Sequence, residues 1–210
     1  MRKKVEHILN NKPVSSVLLL VASLVFIFIL PLIDFEGNIV SFILLSTIIL
    51  LAGYSISTKV TLFGIGAILV ELITRATDFI YLNYLAEIIS NLFFIYIVSH
   101  VIKGLLKRKI VDIYALIDAI NGYLLLGLMF CSLVAFVDLY IPGSYNSTSE
   151  SPMELVYYTM ITLTTAGYGD ITPQSPISQS LSMLIAVTGQ FYVAVIVAIL
   201  VGKFSSISNN

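Results

Sequence analysis

Long apolar runs separated by short polar or charged intervals dominate this chain, at residues 14–33, 39–56, 60–73, 79–102, 119–140 and 178–202. About 20 apolar residues wound as a helix cross the roughly 30 Å hydrocarbon layer of a bilayer, so five of these runs predict membrane-spanning helices by length alone. The run at 60–73 is short. It predicts a span when 58–74 is counted, with the stems of Lys59 and Arg75 reaching to opposite interfaces. An all-α membrane protein with six transmembrane helices is therefore expected.

Composition sharpens this picture. Hydrophobic residues make up 58% of the chain and charged residues 11%, with a mean hydropathy of +1.00, which leaves too little polar surface for a soluble globule. The basic residues Arg2, Lys3 and Lys4 precede the first run, but the run is too long for a secretory leader. Pro31, Asp34 and Glu36 follow it in place of a small-residue cleavage site, so a retained first span is expected. In a six-span layout every Lys and Arg except Arg75 falls on one side, which predicts a cell-membrane protein with both termini cytoplasmic. Cys131 stands alone in an apolar run and is expected to serve packing. No basic stripe of the kind that binds nucleic acid is present.

The basic stretch 103–109 divides the chain into a four-span membrane domain, 1–110, and a second domain, 111–210. Residues 110–118 put Ile110, Ile113, Leu116 and Ile117 on one face, which predicts a short interfacial linker helix. With seven residues after Lys203, no appended regulatory domain is expected.

Residues 151–170, between the fifth and sixth runs, become too polar for an ordinary span. Ser151 suits a helix N-cap, Pro152 the first helical position and Glu154 the acid of a capping box, so a helix is predicted from there to about Leu163. Beyond it, Gly167 and Gly169 allow backbone conformations closed to other residues. Irregular backbone at membrane depth is tolerated only where protein buries it or where it lines a watery path, so a re-entrant pore helix and loop are expected. The C-terminal end of that helix, pointing inward, would favour a cation.

The heptapeptide Thr164-Thr165-Ala166-Gly167-Tyr168-Gly169-Asp170 resembles the selectivity filter of prokaryotic potassium channels of the tetrameric pore-loop class, with Ala166 where Val is usual. The resemblance covers about residues 119–203. It implies a homotetramer, three further copies of the chain completing one carbonyl-lined ring, with K+ as the permeant ion and no cofactor. It assigns Thr165, Ala166, Gly167, Tyr168 and Gly169 as ion ligands, with K+ held at the first four, and Thr164 and Asp170 as filter support. Tyr157 and Tyr158 resemble the aromatic pair that surrounds the filter and can hydrogen-bond the Tyr168 hydroxyl. Ile161 replaces the glutamate that some members pair with the aspartate after the filter, so Asp170 is expected to stand alone. In the sixth run, Gly189 is a candidate gating hinge or a close-packing glycine, and Gln190 a buried hydrogen-bonding side chain.

Six spans with a pore between the last two resemble the voltage-gated plan, but the fourth run carries Glu87 and His100 and no arginine. The first four spans are therefore expected to form a degenerate voltage-sensor-like domain without classical voltage gating. Asn83, Glu87 and Asn91 recur every four residues as a polar stripe, either interhelical glue or a sensor coupled to the pore. Glu71 and Arg75 are spaced to pair. Passive K+ conduction is the leading expectation, followed by a weakly selective cation channel if Ala166 loosens the filter, then a potassium transporter. No cluster of nucleophile, base or metal ligands suggests an enzyme, and His7 and His100 lack metal-ligand spacing.

Overall fold

A computed structural model describes residues 12–32, 38–75, 80–107, 112–147 and 152–208, and the regular elements among them are helices. Helix α1 (Lys12–Leu24) continues through a π-helical turn at Val25–Ile29 into a 3-10 turn at Leu30–Leu32. The change of winding falls beside Pro31, which lacks an N–H donor and crowds the preceding turn. Then follow α2 (Asn38–Ile56), α3 (Thr58–Arg75), α4 (Ile80–Lys107), α5 (Ile113–Tyr140), α6 (Pro152–Leu163) and α7 (Pro176–Ser208).

Among the described residues, four stretches are long and apolar enough to cross a membrane: Val14–Leu32, Tyr81–Leu106, Ile113–Tyr140 and Pro176–Ile199. Shorter apolar helices occupy Leu45–Ile56 and Thr58–Val70, within α2 and α3. Ser57 alone separates α2 from α3, and its hydroxyl accepts the Val60 N–H at 3.3 Å, so the turn supplies its own cap.

The chain divides into two compact units, Met1–Arg108 with Asp112–Gly122, and Lys109–Val111 with Tyr123–Asn210. In the first, α2 packs on α1, α3 and α4, and α3 packs on α4. Phe94, Ile48 and Ile97 are among its fully buried side chains, and the Phe63 and Phe93 rings lie 5.1 Å apart. The buried Asn121 amide donates to the Ser16 carbonyl at 2.8 Å, joining the start of α5 to α1.

The segment expected as a separate linker helix is, over its described part, the first turns of α5. Asp112 caps them by accepting the Ala115 N–H at 2.8 Å, and no Gly or Pro interrupts the chain before Gly122. In the second unit α6 packs on α7, around buried Leu125, Leu128, Val134, Leu163 and Ile185. The far side of α7 stays exposed in the single chain, with Met183, Leu184, Val187, Phe191 and Val197 uncovered. The Glu71 and Arg75 side chains and the cap residue Ser151 lie outside the described residues.

Candidate functional site

Helix α6 begins at Pro152 and ends at Leu163, the limits that Pro152 and the later glycines predict. The Glu154 carboxylate accepts a hydrogen bond from the Ser147 hydroxyl, tying the first turn to the preceding loop. The hydroxyls of Thr159, Thr162 and Thr164 each bond a carbonyl one turn back, at 2.7, 2.8 and 2.9 Å. These threonine hydroxyls thus donate locally, within the helix and its last turn.

Past Leu163 the backbone alternates in hand. Thr165, Gly167 and Gly169 have φ of 60°, 50° and 79°, whereas Ala166 and Tyr168 between them do not enter the left-handed region. The two glycines adopt this at little cost. Thr165 is β-branched, and a left-handed backbone there costs about 1–3 kcal/mol that surrounding contacts must offset. The Gly167 N–H reaches back to the Ile161 carbonyl at 3.1 Å, so the loop stays folded against the helix end. Residues 164–170 are all exposed in the single chain.

Helix α7 and the later turns of α5 hold this helix end from behind. The Tyr123 hydroxyl donates to the Leu163 carbonyl at 3.3 Å, and its ring lies 5.5 Å from that of Tyr192. Gly189 is buried against the same carbonyl. A Cβ there would fall 2.1 Å from the Leu163 oxygen, closer than any side chain tolerates. Of the two roles expected for Gly189, close packing thus has a geometric basis. Gln190, expected to be buried, is exposed, and its amide nitrogen donates to Thr165 Oγ1 at 3.0 Å.

The far end of the loop departs from expectation at Asp170. It does not stand alone: the Tyr157 hydroxyl donates to its carboxylate at 2.7 Å. That bond lowers the Asp170 pKa and, as the largest cause, raises Tyr157 to about 12. The Tyr158 hydroxyl meets Ser182 on α7, so within one chain the two tyrosine hydroxyls engage Asp170 and Ser182 rather than Tyr168. The sequence spacing of 157 and 170 carries no hint of this bond, because it depends on how the loop folds back.

A polar strap unanticipated from the sequence follows the loop. Tyr145 and Pro173 form an antiparallel bridge, flanked by Asn146 N–H to the Thr172 carbonyl at 3.2 Å and Gln174 N–H to the Ser144 carbonyl at 2.7 Å. The buried Tyr145 ring stands edge-on to Tyr158 at 5.1 Å. Ser175 and Ser178 cap α7 reciprocally, each backbone N–H donating to the other's hydroxyl, at 3.0 and 3.2 Å. The Ser-Pro-Ile-Ser pattern at 175–178 is the signal that could have revealed this cap.

In the first unit the polar stripe includes a bond from the Asn91 amide to the Glu87 backbone carbonyl at 3.0 Å. That bond uses the amide nitrogen of the buried Asn91 and lies within one helix, while its Oδ1 is buried without a hydrogen-bond donor.

Comparison with known proteins agrees with this geometry. Residues 122–206 match a family described as ion channel, an interval that takes in α6, the alternating loop and most of α5 and α7. A stretch of 38 residues, 18% of this chain, is 50% identical to a protein called Potassium channel K1 from Plasmodium berghei (strain Anka). The chain spans about 2% of that protein's length. No solved structure matches. The described residues are thus helical in their regular elements, with four stretches able to span a membrane, and the second half of the chain matches an ion-channel family.

Proposed function

We propose that the chain forms a potassium-selective pore, four copies surrounding one axis and each contributing the loop 164–170 to a ring of cation ligands. The observation that carries this reading is the loop itself. A short helix ends in a Thr-Thr-Ala-Gly-Tyr-Gly-Asp segment whose backbone alternates in hand, and two helices of full spanning length flank it. Alternation keeps the segment out of helix and strand, and so leaves its carbonyls available to replace the water around an ion. The ligands are Thr165, Ala166, Gly167, Tyr168 and Gly169, with Thr164, Asp170, Tyr157 and Tyr158 in support. One chain supplies one such loop, so a closed ring needs further copies. The uncovered apolar face of α7 and the exposed loop are the surfaces those copies and lipid would cover.

The layout that fits is six crossings with both termini cytoplasmic. At about 1.5 Å per residue, the 19 residues of α2 and 18 of α3 come close to the span of the hydrocarbon layer. A second reading, a weakly selective cation channel, rests on Ala166, which puts a methyl where the resembling filters carry a branched side chain.

The reversal potential of purified protein in planar bilayers under opposed K+ and Na+ gradients tests both. A value near the K+ equilibrium potential is expected. A value near zero with clear current favours the weakly selective pore, and absence of current in protein shown to be folded and inserted counts against both.

A further inference from the structure

Thr165 is the most constrained residue of the loop. It is a β-branched residue in the left-handed region at φ 60°, directly after the helix end, and its hydroxyl accepts the Gln190 amide at 3.0 Å. The two residues approach because Gly189, one position earlier on α7, has no side chain to hold α7 away from the Leu163 carbonyl. The close approach, the left-handed threonine and the amide bond therefore form one device on α6, the loop and α7.

We propose that Gln190 is a positioning residue for the innermost cation site, fixing the direction of the Thr165 hydroxyl and holding the backbone of Thr165 in its strained form. The inference rests on the reading of residues 164–170 as the ion path, and it adds a specificity-determining residue outside the filter motif. The chemistry is that of one amide N–H and one hydroxyl oxygen. An oxygen that accepts from the amide has its remaining lone pair and its proton directed elsewhere, so the dipole offered to a cation depends on Gln190. Without the amide the hydroxyl rotates freely, and the loop loses a contact that offsets the left-handed backbone.

The test is a double-mutant cycle on the full chain in planar bilayers. Q190M keeps the length of the side chain and removes the donor. T165C keeps the size of the acceptor residue and replaces its oxygen with a poor sulfur acceptor. The quantities read are the K+/Na+ permeability ratio and block by Ba2+ applied from the inner side, a divalent probe of the innermost site. A typical hydrogen bond corresponds to about a two- to tenfold change in an equilibrium constant. Q190M is expected to conduct, with both readouts shifted by about that factor, and the double mutant is expected to match T165C instead of compounding the two changes. Wild-type values in Q190M, or strictly multiplicative effects in the double mutant, overturn the proposal while leaving the pore intact. A wild-type protein that conducts without K+ selectivity defeats the pore reading, and this inference with it. Should Q190M fail to elute as a single species in detergent, Q190L provides the same loss of donor for the same cycle.

Discussion

At the scale of single residues, the bond between Tyr157 and Asp170 makes the outer loop sensitive to pH in a defined direction. The Asp170 pKa is lowered, so its share of the tether is complete above the ordinary carboxylate range and is lost as the pH falls through the lowered value. Tyr157 behaves oppositely. Its pKa is raised from 10.0 to about 12, so its donor proton is secure below the ordinary value and is lost as the pH rises through about 12. The tether is thus intact across neutral pH and fails first in acid. Acidifying the outer side of reconstituted channels is expected to shorten single-channel openings in the wild type and to have a smaller effect in Y157F, where the donor is already gone. An equal acid response in the two proteins would count against the tether. The same scale shows what sequence reading can miss. Gly167 and Gly169 announce a left-handed backbone by their chemistry alone, but the acceptor for Tyr157 lies thirteen residues on, and nothing in residue type alone indicates that the two meet.

At the scale of elements, one cap starts α7 and one close approach fixes how α7 meets the end of α6, and each predicts a separate loss. Ser175 and Ser178 cap the start of α7, so S175A is expected to lower stability by about 1 kcal/mol, seen as an earlier melting transition in detergent. Unchanged melting would show the cap to be dispensable. Gly189 carries the heavier constraint, because the atom a Cβ would meet is a backbone oxygen at 2.1 Å and cannot rotate away. G189A is expected to destabilise the protein by about 1–3 kcal/mol and to disturb conduction together with it. A variant of wild-type stability with altered opening would instead favour the hinge. The limits of α6 were legible from Pro152 and the glycines after Leu163 because those residues act locally. The start of α5 was not. The apolar face of Ile110, Ile113, Leu116 and Ile117 suggested a separate interfacial helix, yet Asp112 is an N-cap and the helix it starts runs on with no Gly or Pro before Gly122. The π turn at Val25–Ile29 had a local signal in Pro31, but an apolar run records where a helix is and not how it is wound.

At the scale of the whole molecule, the charge carried by the first unit bears on voltage dependence. A voltage sensor works by carrying charge through the field, each elementary charge contributing about 2.3 kcal/mol per 100 mV, so steep gating needs several such charges on a moving helix. Helix α4 holds Glu87 and His100 in its interior and gathers Lys103 and Lys107 at its C-terminal end. Lysines at a helix end sit at the interface on flexible stems, where little of the potential falls. The bond from Asn91 to the Glu87 carbonyl stays within the helix and would move with it, so it adds no transferable charge. With so little charge placed within α4, open probability is expected to vary only shallowly with voltage, by less than about one charge per subunit. Conductance–voltage curves from purified channels, reconstituted without other proteins, check this directly. A steep sigmoid would require charge to move elsewhere in the chain, and Glu87→Gln would then separate a contribution from α4 from one made by other residues.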